Sequence, residues 1–149
     1  MAQTHDRREA TFVGRRSDGT IVRRPLSPHL QVYDMLQMTS LLSILNRATG
    51  AAWGVGLLFV VWWLVAAAAG PAAYAHVQWF MGSFLGVLIL FGLTAVAWYH
   101  TIAGVRHLIW DAGYGYDIPT TYRTGWMTVI ATGVMTALTW IVAIIAWAS

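Results

Sequence analysis

Cysteine is absent from the 149 residues of this chain, which excludes a disulfide and a cysteine-ligated iron–sulfur cluster. Electrons that pass through it must be delivered by another chain. Charge is also scarce. Only 10% of residues are charged and 58% are hydrophobic, with a mean hydropathy of +0.58, values that exclude an ordinary soluble domain of this size. Between Ala48 and Val105 there is no Asp, Glu, Lys or Arg. As a single helix that run would be roughly 87 Å long, nearly three times a hydrocarbon core of about 30 Å, so it must double back. The segment "GPAAYAHVQ", Gly70 to Gln78, is the place for the reversal, because Gly-Pro ends a helix and polar residues cluster there.

This places a first span at residues 51–69 and a second at 79–105. A third, at 125–148, lies in the uncharged run from Gly125 to Ser149. The fold class is therefore an all-α membrane protein: residues 1–24 form a polar, arginine-rich tail and residues 25–149 a three-helix anchor domain. So little chain outside the lipid cannot enclose a large protected site alone, and partner chains are expected.

Six of the nine arginines fall in the first 24 residues, against Asp6, Glu9 and Asp18. The loop after the second span is assigned Arg106, His107 and Arg123, while the loop before it carries no formal charge. An excess of arginine marks the side from which a membrane protein does not translocate, so the N-terminus is expected on the cytoplasmic or matrix face of the membrane. The tail is short and has acids interspersed, which argues for a membrane-proximal arm and against nucleic-acid binding. No apolar signal core precedes the first span.

The tail shows no periodicity and is expected to lack regular structure. Next comes "RPLSPHLQVY", Arg24 to Tyr33, whose two prolines favour an extended strap along the membrane surface. From Asp34, a candidate N-cap, apolar residues at Leu36, Met38, Leu41, Leu42 and Leu45 predict an amphipathic lead-in helix. Gly50 with Gly54, and Gly82 with Gly86, make small-xxx-small pairs that permit close approach of a helix or a flat cofactor.

The second span carries the strongest chemical signal. On one continuous helix, Gly82, Gly86, Leu93, His100, Gly104, His107 and Asp111 share a narrow arc, so His100 would sit between glycines that leave a slot for a planar ring system. A buried imidazole inside a membrane is costly without a partner, and a haem iron supplies one; a hydrogen bond to a neighbouring helix is the plain alternative. Zinc is disfavoured because no second and third ligand stand at suitable spacing. His107 lies roughly 10 Å along the axis from His100, and Asp111 a further 6 Å or so, toward the aqueous boundary. His100 and His107 share a helix face and cannot grip opposite faces of one macrocycle. A second axial ligand must come from another chain, which puts any haem at a subunit interface.

Ser43, Asn46 and Arg47 form a polar stripe just before the first span, within "LLSILNRATGAAWGVG". Arg47 by itself reads as a snorkelling anchor. Beside a hydroxyl and an amide, its guanidinium also makes a set of donors suited to quinone carbonyls or haem propionates.

Three motifs in order, "RPLSPHLQVY", "SLLSILNRATG" and "HTIAGVRHLIWDAGYG", match the patterns "RPLSPHL.IY", "S.L.S.LHR.TG" and "H...GIRHL.WD.G". From Arg24 to about Gly115 the chain resembles the cytochrome b556 membrane-anchor family of succinate dehydrogenase, the succinate:quinone reductase. The resemblance implies a complex with a flavoprotein subunit, an iron–sulfur subunit and a second membrane anchor, holding haem b between the two anchors and reducing quinone. It implies that His100 is the axial ligand of the haem iron, that Ser43 and Arg47 line the quinone pocket with Asp111 close by, and that Arg47 and His107 lie near the haem propionates. Asn46 stands where the family pattern has histidine. Asparagine donates a hydrogen bond but carries no positive charge, so the propionate contact is the expected point of departure. On this reading the chain does not dehydrogenate succinate; it anchors the catalytic subunits and helps build the quinone site. The alternatives are a haem-free structural anchor and a small helical transporter subunit. A transporter should show ionisable groups or broken helices near mid-span, where His100 is the one candidate.

Overall fold

A computed structural model describes residues 11–25 and 34–149. The strap expected over Arg24 to Tyr33 lies largely outside these, as do His5 and His29. The elements are two strands, β1 (Thr11–Arg15) and β2 (Ile21–Pro25), and four helices, α1 (Met38–Ala69), α2 (Pro71–Gly82), α3 (Phe84–Asp111) and α4 (Ile118–Ala148).

Residues 11–25, expected to be irregular, form an antiparallel hairpin that pairs Thr11 with Pro25 and Arg15 with Ile21. Its turn explains why. Gly19 adopts φ 87°, a left-handed conformation that only glycine takes at no cost. Asp18 Oδ1 accepts from the Thr20 amide at 2.9 Å and from the Thr20 hydroxyl at 2.6 Å. These two Thr20 bonds hold the Asp18 carboxyl below the usual carboxylate range.

The lead-in and first span are one helix of 32 residues, roughly 48 Å long, so its first turns stand clear of a hydrocarbon core of about 30 Å. Asp34 is not its cap. Its Oδ1 accepts from the Leu36 amide at 3.0 Å in a preceding turn, and the cap position falls to Gln37 without a side-chain bond. The reversal near residue 70 is tighter than a loop. Gly70, at φ 118°, ends α1, and Pro71 opens α2 from the first helical position, where a missing N–H is no loss. α2 has 12 residues, about 18 Å, too short to cross a bilayer. The second spanning helix therefore starts at Phe84 and not at Trp79. Ser83 caps it by accepting from the Gly86 amide at 3.1 Å.

α1, α3 and α4 are each long and apolar enough to span a membrane. α1 and α3 run antiparallel: the Tyr99 hydroxyl donates to the Leu42 carbonyl at 3.0 Å at one end, and Gly56 accepts the Leu93 side chain further along. Leu42, Tyr99 and Ala103 form a small core, with Met38 packed against it. The start of α4 closes on the same place, because a Cβ on Gly125 would stand 2.9 Å from both Leu42 and Met38 side-chain atoms. No more than 11% of the residues in each spanning window are buried by this chain, and Trp79, Phe84 and Trp147 are about four-fifths exposed. Burial that a chain of this composition needs must come from lipid and from other subunits.

Candidate functional site

His100 sits at the α1–α3 crossing, half-buried. Its Nδ1 is 3.2 Å from the Asn46 backbone oxygen and 3.5 Å from Thr49 Oγ1. A carbonyl oxygen can only accept, so the bond to Asn46 puts the proton on Nδ1 and the lone pair of the neutral ring on Nε2. This is the arrangement in which a carbonyl orients an imidazole that ligates a metal through its other nitrogen. The room for the ring comes from Gly50: a Cβ there would lie 2.9 Å from Cε1 and 3.6 Å from Nε2. One turn further along each helix, Gly54 and Gly104 have nothing within 4 Å of where a Cβ would stand. The imidazole is thus flanked by open, backbone-close surface, which suits a flat macrocycle as well as another helix.

The glycine slot expected above His100 is not formed. Gly82 belongs to α2, and the helix break at Ser83 takes it off the His100 face. Gly86 is sealed by the α2–α3 turn, where a Cβ would collide with the Phe80 carbonyl oxygen and lie 2.7 Å from Met81 Cα. Gly50 of α1 instead makes room for the imidazole itself, and the open glycines beside it are Gly54 and Gly104.

The polar stripe on α1 divides. Asn46 turns toward α3, giving its backbone oxygen to His100 while its side-chain Oδ1 is buried without a partner. Arg47, one residue and about 100° further round the helix, is exposed, and Ser43 is half-buried one turn earlier. His107 Nδ1 pairs with the Ala103 carbonyl at 2.7 Å, and its ring meets Trp110 edge-on at 5.2 Å. Asp111 ends α3 and is exposed. The Leu42–Tyr99 contact sets the first turns of α1 beside the last turns of α3. Ser43, Arg47, His107 and Asp111 therefore share one end of the bundle, without direct bonds drawing them into a single cluster. Among the described residues no group of three histidines or acids could hold a metal ion between them.

Arg106 is the residue that sequence reasoning misplaced. The sequence predicts it in a loop with His107 and Arg123, but α3 continues to Asp111 and α4 begins at Ile118, so all three are helical. Arg106 is only 8% exposed. Its Nε donates to Thr124 Oγ1 at 3.0 Å, one terminal nitrogen donates to the Thr121 carbonyl at 2.8 Å, and the guanidinium lies 4.1 Å over the Trp110 ring. It fastens the end of α3 to the start of α4 and so fixes the frame that carries His100 and His107. Thr49, whose hydroxyl donates to Leu45 O at 2.7 Å and Asn46 O at 3.1 Å beside the imidazole, gave no signal beyond its nearness to Gly50.

Comparison with known proteins gives concordant results. Residues 20–145 match the family described as "Succinate dehydrogenase/Fumarate reductase transmembrane subunit". The succinate dehydrogenase cytochrome b556 subunit of Paracoccus denitrificans is 44% identical over 119 residues, covering 80% of this chain and 91% of that protein. The cytochrome b556 subunit of Rickettsia felis is 37% identical over 120 residues, covering 80% of this chain and 92% of the relative. The cytochrome b560 subunit of Reclinomonas americana is 37% identical over 128 residues, covering 81% and 87%.

Proposed function

Because the chain belongs to the succinate dehydrogenase/fumarate reductase transmembrane subunit family, we propose that it is the cytochrome b anchor of a succinate:quinone reductase, with His100 as haem ligand and Ser43 and Arg47 at the quinone. It is a multi-pass membrane protein and works with the other subunits of that complex: a flavoprotein, an iron–sulfur subunit and a second anchor. The observation that carries the haem reading is the His100 environment. Nδ1 is committed to a backbone carbonyl, Nε2 keeps its lone pair, and Gly50 makes room for the ring. Bound there, haem b supplies a one-electron carrier inside the membrane.

The remaining histidines within the described residues support sharing of the haem with another chain. His107 lies two turns along the same helix, and His76 lies on α2, bonded to the Ala72 carbonyl at 2.8 Å; neither stands across from His100. A second ligand to the haem would then be supplied by the second anchor.

Arg47 and Ser43 at the interfacial end of α1 orient a quinone head, donating hydrogen bonds to its carbonyl oxygens as negative charge develops on them. The two electrons arrive from the iron–sulfur subunit, and the two protons enter from the aqueous side, where exposed Asp111 stands. The basic N-terminal arm supports the cytoplasmic or matrix side for this end, since an excess of arginine is retained there. Asn46, whose Oδ1 is buried against α3, faces inward and leaves Arg47 as the nearby cation for propionates.

The test is a reduced-minus-oxidised absorption spectrum of the purified complex, together with two activity assays. His100→Ala should remove the b-type bands while the subunits still co-purify; unchanged bands would overturn the ligand assignment. Arg47→Ala should lower succinate:quinone reductase activity on the order of tenfold or more, while succinate oxidation by an artificial dye persists. Equal loss of both activities would remove Arg47 from the quinone site.

A further inference from the structure

The hairpin formed by β1 and β2 serves none of the functions described so far. The family match begins at residue 20, so β1 lies outside it. The two strands pack on each other and make no substantial packing against the helices. A lone two-stranded hairpin is marginal in water and needs a surface to rest on.

Its register shows what kind of surface. Val13 stands opposite Arg23 and Arg15 opposite Ile21, and directly opposed residues share a face. All four are exposed, Val13 at 55% and Ile21 at 72%, while Gly14 and Val22 on the other face are half-buried. One face thus alternates guanidinium groups with branched apolar side chains. Between Thr11 and Pro25 there are four arginines against one acid, Asp18, and that carboxylate is already engaged with the Thr20 amide and hydroxyl. Arg15 gives its Nε to the Gly19 carbonyl at 3.3 Å, which leaves its terminal nitrogens for another acceptor. The positive charge is therefore not neutralised within the hairpin.

The tether selects the occupant. Residues 26–37 connect the hairpin to α1 and can extend no further than about 40 Å, so a helix that enters the bilayer holds the hairpin within reach of lipid headgroups at all times. We infer that the hairpin is a membrane-surface clamp. Arg15, Arg16 and Arg23 lie over the phosphates of anionic lipids, and Val13 and Ile21 enter the interfacial layer. This requires only the membrane topology, and neither the haem nor the quinone.

The absence of native cysteine makes the test direct. The full chain carrying Ile21→Cys, labelled with a polarity-sensitive fluorophore, is placed in nanodiscs of phosphatidylcholine alone or mixed with phosphatidylglycerol. The expected result is a blue shift of emission in the mixed discs only. Molar salt should reverse it, since the screening length falls from about 10 Å at 0.1 M to about 3 Å at 1 M. The shift should be lost in R15Q/R23Q and kept in R15K/R23K, which separates loss of charge from loss of the hairpin. A label at Ser17→Cys, in the turn, should report water in every disc. Equal emission in both lipids overturns the proposal. So does a shift that arises only when the soluble subunits are added, which would instead make the hairpin a protein-docking element.

Discussion

Gly50 decides whether the His100 ring can lie where it does. An alanine methyl there would come 2.9 Å from Cε1, so the ring or the helix must move. Gly50→Ala is expected to insert and assemble but to shift or lose the b-type bands; a spectrum identical to the parent would show that the ring is not constrained by α1. Thr49 offers a finer probe. Its oxygen is a second, longer acceptor for the Nδ1 proton, at 3.5 Å, and acceptors at Nδ1 make the imidazole a stronger donor to a metal. Thr49→Val should raise the haem midpoint potential in a redox titration while leaving the bands present, and Thr49→Ser should restore it. At this scale the sequence singles out His100 through its isolation within an uncharged span. It could not show which way Asn46 faces, because a stripe spaced at three and four residues covers an arc wide enough to straddle a helix contact.

At the scale of elements, the α3–α4 corner depends on two local devices. Arg106 makes two charge-assisted hydrogen bonds across it, to Thr124 and Thr121, while its guanidinium stacks over Trp110 of its own helix. Arg106→Ala should cost on the order of 3 kcal/mol, since charge-assisted bonds contribute about 1.5–3 kcal/mol each and some are recovered by water. A thermal or denaturant melt of the detergent-solubilised complex would measure it. Asp117 caps α4, accepting from the Thr120 amide at 2.9 Å. The Thr120 hydroxyl and amide hold its carboxyl below the ordinary carboxylate range. A depressed folded pKa means that the stabilisation is present above the unfolded value, near 4, and is lost as pH falls through the lower folded value. Amide exchange at Thr120, corrected for intrinsic rates, should stay slow down to about pH 4 and rise below it; Asp117→Asn, which caps without titrating, should abolish that acid step. α2 is not legible in the sequence because Gly-Pro marks a helix end and a helix start alike, proline being well suited to a first helical position.

For the whole molecule, parity of spans is the governing feature. Three crossings place the two termini on opposite sides, provided that α2 with its 12 residues does not cross. Single cysteines at Ser17 and Ser149 should label with an impermeant maleimide from opposite faces of sealed vesicles, Ser17 from the cytoplasmic or matrix face; labelling from one face only would mean that α2 spans. The bundle's scant internal burial also explains why such a chain works as a subunit. Its helices are long enough for the membrane but touch one another over narrow seams, and most of their apolar surface is left for lipid or other subunits.

The amino-acid sequence by itself determined that this protein belongs in a membrane, that it has uncharged runs long enough to cross one, and that His100 is the one histidine within the spans they predict. Those are one-dimensional quantities: the length of an uncharged run, a charge imbalance between ends, a spacing of residues along a helix. Only the tertiary structure decided that Gly50 and the Asn46 carbonyl receive the imidazole, that Arg106 is buried between helices, and that fifteen residues of the arginine-rich arm pair as a hairpin. Those depend on the rotation and register of one element against another, which are settled by contacts between residues distant in the chain, such as Arg106 with Thr124 and Asn46 with His100.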